Sequence, residues 1–157
     1  IHFYGVKNLI RIGTAGAMQP EVKLRDVVIA IGSCTDSNYL ASYRLAGDYS
    51  CTASYKLLRE AVQNAEAMDM PYHVGNILCS DTFYQPELPG TGVSWTDMGM
   101  PACEMESTAL YANAAYGRAN ALCILTISDS PYEDEEISAG DRQNSFTRMM
   151  ELALSIV

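Results

Sequence analysis

Three carboxylates lie close together in the second half of the chain. Glu104 and Glu106 flank Met105 just before a predicted helix, and Asp129 follows a short apolar run. Ionised carboxylates accept charge-assisted hydrogen bonds, so all three are candidates for holding a polar ligand. Two structural interpretations stay open from the pattern alone. Acids stabilise the N-terminus of a helix, and the sequence Ser-Asp-Ser-Pro around Asp129 favours a turn.

A second group of candidates lies near the start of the chain. Arg11 interrupts an apolar stretch that runs into Gly13, Thr14, Ala15 and Gly16. A guanidinium among apolar strand residues is seldom buried unless an anion meets it, and small residues let a ligand approach the backbone closely. The spacing of the two glycines is weak evidence by itself, because turns also need glycine.

The elements that must position these residues alternate along the chain. Continuous apolar runs predict strands, and residues recurring at three- and four-residue steps predict helices. One helix follows Thr52 or Ser54 and turns Tyr55, Leu58, Ala61, Val62 and Ala65 inward; a second ends at Gly117 with a left-handed cap. Strands are predicted at residues 8–12, 26–31, 73–79 and 121–127, and helices at 55–65, 107–117 and from 139 or 141 onward. The last helix is predicted to turn inward Phe146, Met149, Met150, Leu152 and Ile156.

This order predicts a single α/β domain over residues 1–157, with a mixed, mainly parallel central sheet flanked by helices. Asp129 falls where the last strand ends, and ligands of open α/β sheets bind beyond the carboxyl ends of the strands. Phe83 and Tyr84 follow the third strand and are suited to stacking on a planar ligand, although core packing is the commoner fate of aromatic residues. The segment 85–100, rich in Pro and Gly, predicts a loop.

Composition narrows the function classes. The 157 residues carry a formal net charge of −9, which argues against a nucleic-acid surface. Five scattered cysteines without Cys-x-x-Cys spacing argue against a disulfide framework and a zinc site. The longest apolar runs are too short to span a membrane, and the first residues show no basic leader. We therefore expect a cytoplasmic protein with no membrane partner.

With these residues in view, the chain resembles the bacterial, hexameric class of purine nucleoside phosphorylases within the nucleoside phosphorylase family. The resemblance covers essentially all 157 residues, and its motifs come in the family's order. The matching segments are residues 10–17, 22–28, 34–37, 80–84, 104–106, 128–129 and 142–143.

The resemblance implies a pentosyltransferase that reversibly phosphorolyses purine ribonucleosides or deoxyribonucleosides to free base and pentose 1-phosphate. Asp129 would donate a proton to N7 of the departing base, a general-acid role typically worth about 10²–10⁴-fold. Arg142 would swing onto Asp129 and promote this transfer. Inorganic phosphate would be the co-substrate, with no metal or organic cofactor.

The resemblance also assigns the binding residues. Glu106 would accept hydrogen bonds from the ribose hydroxyls, with Glu104 beside it and Met105 packing on the sugar. Arg11 and Thr14 would bind phosphate, with Thr14 in place of the family's usual serine. The base-binding residues would be Phe83, Ser128, Gly16 and Ala15. A homo-oligomer, a hexamer built as a trimer of dimers, is implied as well.

The family's N-terminal portion has no counterpart here, including its glycine-rich phosphate loop and the histidine and arginine donated across a dimer interface. His2 and His73 do not lie in the matching motif. We therefore expect an N-terminally truncated form with unpaired sheet edges, exposed apolar surface and a tendency to associate. A form that binds nucleoside without turnover is one alternative. A uridine phosphorylase is disfavoured by Ser128-Asp129, and a hydrolytic thioadenosine-type nucleosidase is disfavoured by Arg11.

Overall fold

The fold alternates strands and helices as the sequence predicts. The computed structural model describes residues 1–84, 92–133 and 139–156, with side chains described for 1–84, 92–133 and 146–156. Its strands are β1 (Asn8–Ala17), β2 (Val27–Thr35), β3 (Cys51–Thr52), β4 (Tyr72–Cys79), β5 (Ala102–Glu104) and β6 (Asn120–Asp129). Its helices are α1 (Tyr55–Ala67), α2 (Ser107–Tyr116) and α3 (Ala139–Ser155), with a short 3₁₀ helix at Tyr39–Tyr43.

The six strands form one mixed sheet in the order β3-β2-β4-β5-β1-β6, and β6 pairs again with β2. The long pairings, β1 with β6 and β2 with β4, are parallel, whereas the antiparallel pairings are short. The prediction of a mixed, mainly parallel sheet flanked by helices is therefore confirmed. The second contact between β6 and β2 closes five strands into a ring, which the sequence pattern did not predict.

A change of partner along β2 makes this closure possible. Val27 to Ala30 pair with β6 on one edge of β2, whereas Gly32 and Ser33 pair with β3. Between these halves the register with β4 shifts, leaving Ile31 as an extra residue that is exposed. An inserted residue of this kind bends a strand and increases its local twist. The bend lets one edge of β2 pair with β6 along its first half and with β3 along its second half.

The core lies on both faces of β6, which explains its uninterrupted apolar sequence. Cys123 and Leu125 pack with Tyr111 of α2 on one face, in a cluster that also contains Val28. Leu122 and Ile124 pack on the other face, in the cluster formed with α1 and α3. Because side chains alternate along a strand, neighbouring residues of β6 serve two separate hydrophobic layers.

The helix predictions need three corrections. Tyr55 of α1 is 73% exposed instead of inward, because the buried stripe of this helix runs through Leu57, Ala61 and Ala65. Met150 of α3 is also exposed. The helix α2 does not end on a left-handed Gly117, whose φ is −78°.

The left-handed residue after α2 is Arg118, with a φ of 56°. Gly117 is explained by contact instead. A Cβ atom there would lie 3.2 Å from the carbonyl oxygen of Asn113 and would collide with the side chain of Ile1. Glycine is thus favoured by close packing, not by backbone conformation.

Parts of two strand edges lack a partner among the described residues. β1 pairs with β5 only at Gly16 and Ala17, and β4 pairs with β5 only at Leu78 and Cys79. Ile12 and Val74 on these strands are about two-fifths exposed, at 40% and 43%. This agrees with the expectation of unpaired edges and exposed apolar surface.

In the described part of the chain, no helix is both long and apolar enough to cross a membrane.

Tyr111 provides a test of how the sheet and α2 are held together. Its buried hydroxyl donates to the carbonyl oxygen of Ala30 at 2.6 Å and accepts from the amide of Cys123 at 3.1 Å. Burial raises the pKa of Tyr111, so the hydroxyl keeps its proton. Tyr111→Phe leaves both backbone groups unpaired and should lower the free energy of unfolding by about 1–3 kcal/mol in denaturant titrations. The exposed Tyr55→Phe is the control, and equal stability of the two variants would contradict this account.

Candidate active site

A cavity of about 390 Å³ opens where the carboxyl ends of several strands meet. The parallel strands β1 and β6 end together at one side of it, where Gly16 pairs with Asp129. The short strand β5 closes another side, because Cys103 pairs with Gly16 and Glu104 pairs with Cys79. The volume lies in the range of about 300–1,000 Å³ that is usual for small-molecule sites.

The cavity collects nearly every site residue that the sequence predicted. Its lining includes the following ten predicted residues: Arg11, Thr14, Ala15, Gly16, Phe83, Glu104, Met105, Glu106, Ser128 and Asp129. Their individual roles stay predictions, but their assembly around one cavity is a property of the fold. Arg142 belongs to the first turn of α3, and its side chain is not among those that the structure describes. The predicted movement of Arg142 towards Asp129 therefore stays a prediction.

Arg11 lies between two of the acids. Its Nη2 atom is 3.5 Å from Glu104 and forms a hydrogen-bonded ion pair with Glu106. The Glu104 side chain is only 1% exposed, whereas that of Glu106 is 59% exposed. Glu106 is thus the acid that is accessible to a ligand, and Glu104 is the acid behind it.

Burial alone would lower the pKa of the Arg11 guanidinium, but the neighbouring Cys123, Glu104 and Glu106 together raise it. Arg11 therefore stays charged. Its Nη1 atom is buried and has no hydrogen-bond partner among the described residues. A buried donor without a partner is costly, and a ligand reaches this atom only if the Arg11 side chain moves.

Glu104 is engaged by the protein itself. Its carboxylate accepts hydrogen bonds from the amides of Glu106 and Ser107 at 3.0 to 3.1 Å and from the Ser107 hydroxyl at 2.5 Å. These amides belong to the first turn of α2, where backbone donors lack intrahelical partners. The prediction that Glu104 stands beside Glu106 holds for its position, but its oxygens already serve the helix N-terminus.

The two glycines of the β1 motif leave room for charged groups. A Cβ atom at Gly13 would lie 2.9 Å from Cζ of Arg11, and a Cβ atom at Gly16 would lie 2.7 Å from Oδ2 of Asp129. Any larger residue must displace the guanidinium or the carboxylate. The glycine spacing that was weak evidence in the sequence therefore has a physical basis in the site.

The predicted base-binding residues also line the cavity. Ser128 donates a hydrogen bond to Asp129 at 2.8 Å. Phe83 is 70% exposed and packs edge-on against Tyr84. The turn that carries Phe83 is held by Asp36, which accepts hydrogen bonds from the Ser80 hydroxyl at 2.8 Å and the Asp81 amide at 3.1 Å.

Five further residues line the cavity without having been predicted as site residues: Ala17, Met18, Ser80, Thr82 and Cys103. Ala17, Thr82 and Cys103 adjoin predicted residues, whereas Met18 and Ser80 lie two and three positions from the nearest one. Ala17, Ser80 and Thr82 also belong to segments that match the family's motifs. Burial raises the pKa of Cys103 to about 11 and that of Cys123 to about 12, with Glu104 adding to both shifts. These thiols stay protonated at neutral pH, so neither is suited to act as a nucleophile.

Comparison with known proteins identifies the class. All 157 residues match the family model described as the phosphorylase superfamily. The chain is 47% identical over 157 residues to a DeoD-type purine nucleoside phosphorylase of Thermoanaerobacter sp. (strain X514), covering 99% of this chain and 66% of that relative. A relative of the same description from Caldanaerobacter subterraneus subsp. tengcongensis is 48% identical over 154 residues, covering 98% of this chain and 66% of that relative.

The chain therefore belongs to the phosphorylase superfamily. This confirms the family resemblance that the motifs indicated. The chain spans just under two thirds of the length of these curated relatives.

The contact between Gly13 and Arg11 is open to a direct test. Gly13→Ala should force the guanidinium from its place between the two acids and leave buried charge unpaired. We expect a loss of about 1–3 kcal/mol in the free energy of unfolding, measured by denaturant titration. Gly92→Ala is the matched control, because a Cβ atom there meets nothing within 4 Å. A Gly13→Ala protein as stable as the control would mean that Arg11 is not held where the structure places it.

Proposed function

We propose that the chain carries the active site of a purine nucleoside phosphorylase. The reaction is the reversible phosphorolysis of purine ribonucleosides or deoxyribonucleosides to a free base and a pentose 1-phosphate. The observation that carries this proposal is the meeting of a half-buried arginine, an exposed glutamate and an aspartate around one cavity. The two relatives named above, both DeoD-type purine nucleoside phosphorylases, support it.

The phosphate subsite is proposed at Arg11 and Thr14. Arg11 offers a charged guanidinium on a side chain that is 21% exposed, and Thr14, three residues along the same strand, is exposed. A guanidinium binds phosphate with charge-assisted hydrogen bonds. Before phosphate binds, Arg11 is paired with Glu106. Ligand binding must therefore redistribute this ion pair.

The ribose subsite is proposed at Glu106, with Glu104 behind it and Met105 packing against the sugar. Glu106 is exposed to the cavity and Met105 is 40% exposed. An ionised carboxylate accepts hydrogen bonds from two adjacent hydroxyls, which fixes the sugar relative to the phosphate. Release of Glu106 from Arg11 would free its oxygens for this purpose.

The base subsite is proposed at Phe83, Ser128, Gly16 and Ala15, with Asp129 as the general acid. During phosphorolysis the bond from the sugar C1′ to the purine nitrogen breaks, and a phosphate oxygen forms a new bond to C1′. The departing base gains negative charge, which a proton from Asp129 to N7 would neutralise. Arg142 is proposed to promote this step.

The order of the subsites follows β1. Gly16 lies five positions beyond Arg11 on β1, roughly 16 Å of backbone at about 3.3 Å per residue. The Arg11 guanidinium reaches forward to Gly13, so the phosphate subsite is proposed beside Gly13 and Thr14 and the Asp129 subsite beside Gly16.

Three further properties are proposed by the resemblance. The working assembly is a homo-oligomer, a hexamer arranged as a trimer of dimers, and the cellular location is the cytoplasm. Inorganic phosphate is the co-substrate, and no metal or organic cofactor takes part. The unpaired edges of β1 and β4 support association, and sedimentation velocity over a range of protein concentrations measures it.

The proposal predicts release of free base from inosine or adenosine only when phosphate is present. Asp129→Asn should lower this rate by about 10²–10⁴-fold, because it removes the proton donor without changing the size of the side chain. Glu66→Gln is the matched control on α1, where the carboxylate accepts an exposed hydrogen bond from the Tyr72 hydroxyl at 2.9 Å. The base is followed by absorbance after chromatographic separation.

Three outcomes of this assay contradict the proposal in different ways. Release of base without phosphate would replace phosphorolysis with hydrolysis. Binding of nucleoside without release would identify a form that holds substrate but does not turn it over. Preference for uridine over purine nucleosides would reassign the substrate class.

A further inference from the structure

A chain of buried hydroxyl groups runs from β2 to the site without lining the cavity. The Thr108 hydroxyl lies 2.6 Å from the Ser33 hydroxyl, and Ser33 lies 2.8 Å from the Ser107 hydroxyl. Ser107 in turn contacts Glu104 at 2.5 Å. Ser107 and Thr108 are fully buried at the start of α2, and Ser33 is half-buried on β2.

The direction of this chain follows from counting protons. The Glu104 carboxylate faces Arg11 and accepts hydrogen bonds from two backbone amides. It therefore also accepts the hydrogen bond with the Ser107 hydroxyl, and Ser107 is the donor. Each hydroxyl has one proton to donate. The Ser107 hydroxyl must then accept a hydrogen bond from the Ser33 hydroxyl, and the Ser33 hydroxyl must accept one from the Thr108 hydroxyl. Aligned hydrogen bonds of this kind polarise one another, so each strengthens the next.

The chain of hydroxyl groups ends at Glu104, which contacts both charged residues that are proposed to bind ligands. Glu104 contacts Arg11 directly, and it also binds the amide of Glu106, the residue whose side chain reaches the cavity. We propose that Ser33 is a positioning residue that, through Ser107 and Glu104, sets Arg11 and Glu106 for phosphate and sugar binding. This inference rests on the proposed function of the cavity for its ligands. It assigns Glu104 to positioning instead of direct contact with the sugar.

The base end of the cavity provides an internal reference. Asp129, Ser128 and Phe83 have no hydrogen bond to this hydroxyl chain among those of the described residues. A change at Ser33 should therefore weaken phosphate binding while leaving the binding of a free purine base unchanged. General loosening of the fold would weaken both.

The experiment measures equilibrium binding of inorganic phosphate and, separately, of adenine by isothermal titration calorimetry. Ser33→Ala should weaken phosphate binding about two- to tenfold, the effect of losing one net hydrogen bond, and should leave adenine binding unchanged. Ser33→Thr keeps the hydroxyl and should restore phosphate binding. Ser107→Ala cuts the chain one step nearer to Glu104 and should act in the same direction, which provides a second test if Ser33→Ala fails to fold.

Thr126→Val is the matched control, since Thr126 is a fully buried hydroxyl that contacts Met149 instead of this chain. Its phosphate binding should equal that of the unaltered protein. The inference is overturned if Ser33→Ala and Ser107→Ala bind phosphate normally, if phosphate and adenine binding fall in the same proportion, or if the unaltered protein binds adenine but no phosphate. If the unaltered protein binds phosphate but releases no base from nucleosides, the proposed phosphorolysis is wrong and the inference about Ser33 still stands.

Discussion

The site depends on one buried carboxylate. Glu104 accepts the free amides at the N-terminus of α2, and the same group lies 3.5 Å from the guanidinium of Arg11. A helix end and a cation each need a negative partner when they are buried. One side chain supplies it to both, and this couples the position of α2 to the position of a residue in the middle of β1. Glu106 follows Glu104 by two residues and lines the cavity.

The sheet provides a rigid frame for this coupling. β4, β5, β1 and β6 are consecutive neighbours in the sheet, so residues of β1, β5 and β6 and of the turn after β4 line one cavity. The bulge at Ile31 separates the part of β2 that pairs with β6 and closes the ring from the part that pairs with β3. Glycines at positions 13 and 16 complete the frame, because the charged groups of Arg11 and Asp129 occupy the space that side chains would fill.

The motifs named ten residues that line one cavity, although their roles stay predictions, whereas the helical pattern placed some side chains wrongly. Tyr55 and Met150 were placed inward by the same periodicity, yet both are exposed. Apolar residues at the margin of a helical stripe are buried only if a neighbouring element covers them, and the local pattern contains no information about that neighbour.

The sequence by itself determined the alternation of strands and helices, the strand ends and the chemical types available at them, because these depend on local periodicity and side-chain identity. Only the tertiary structure decided how they combine. It paired Arg11 with acids some 95 residues away, gave Glu104 to the helix instead of to open solvent, and linked Ser33 to the start of α2. Such contacts join residues far apart in the chain, and they are fixed by strand order and register, which local patterns leave undetermined.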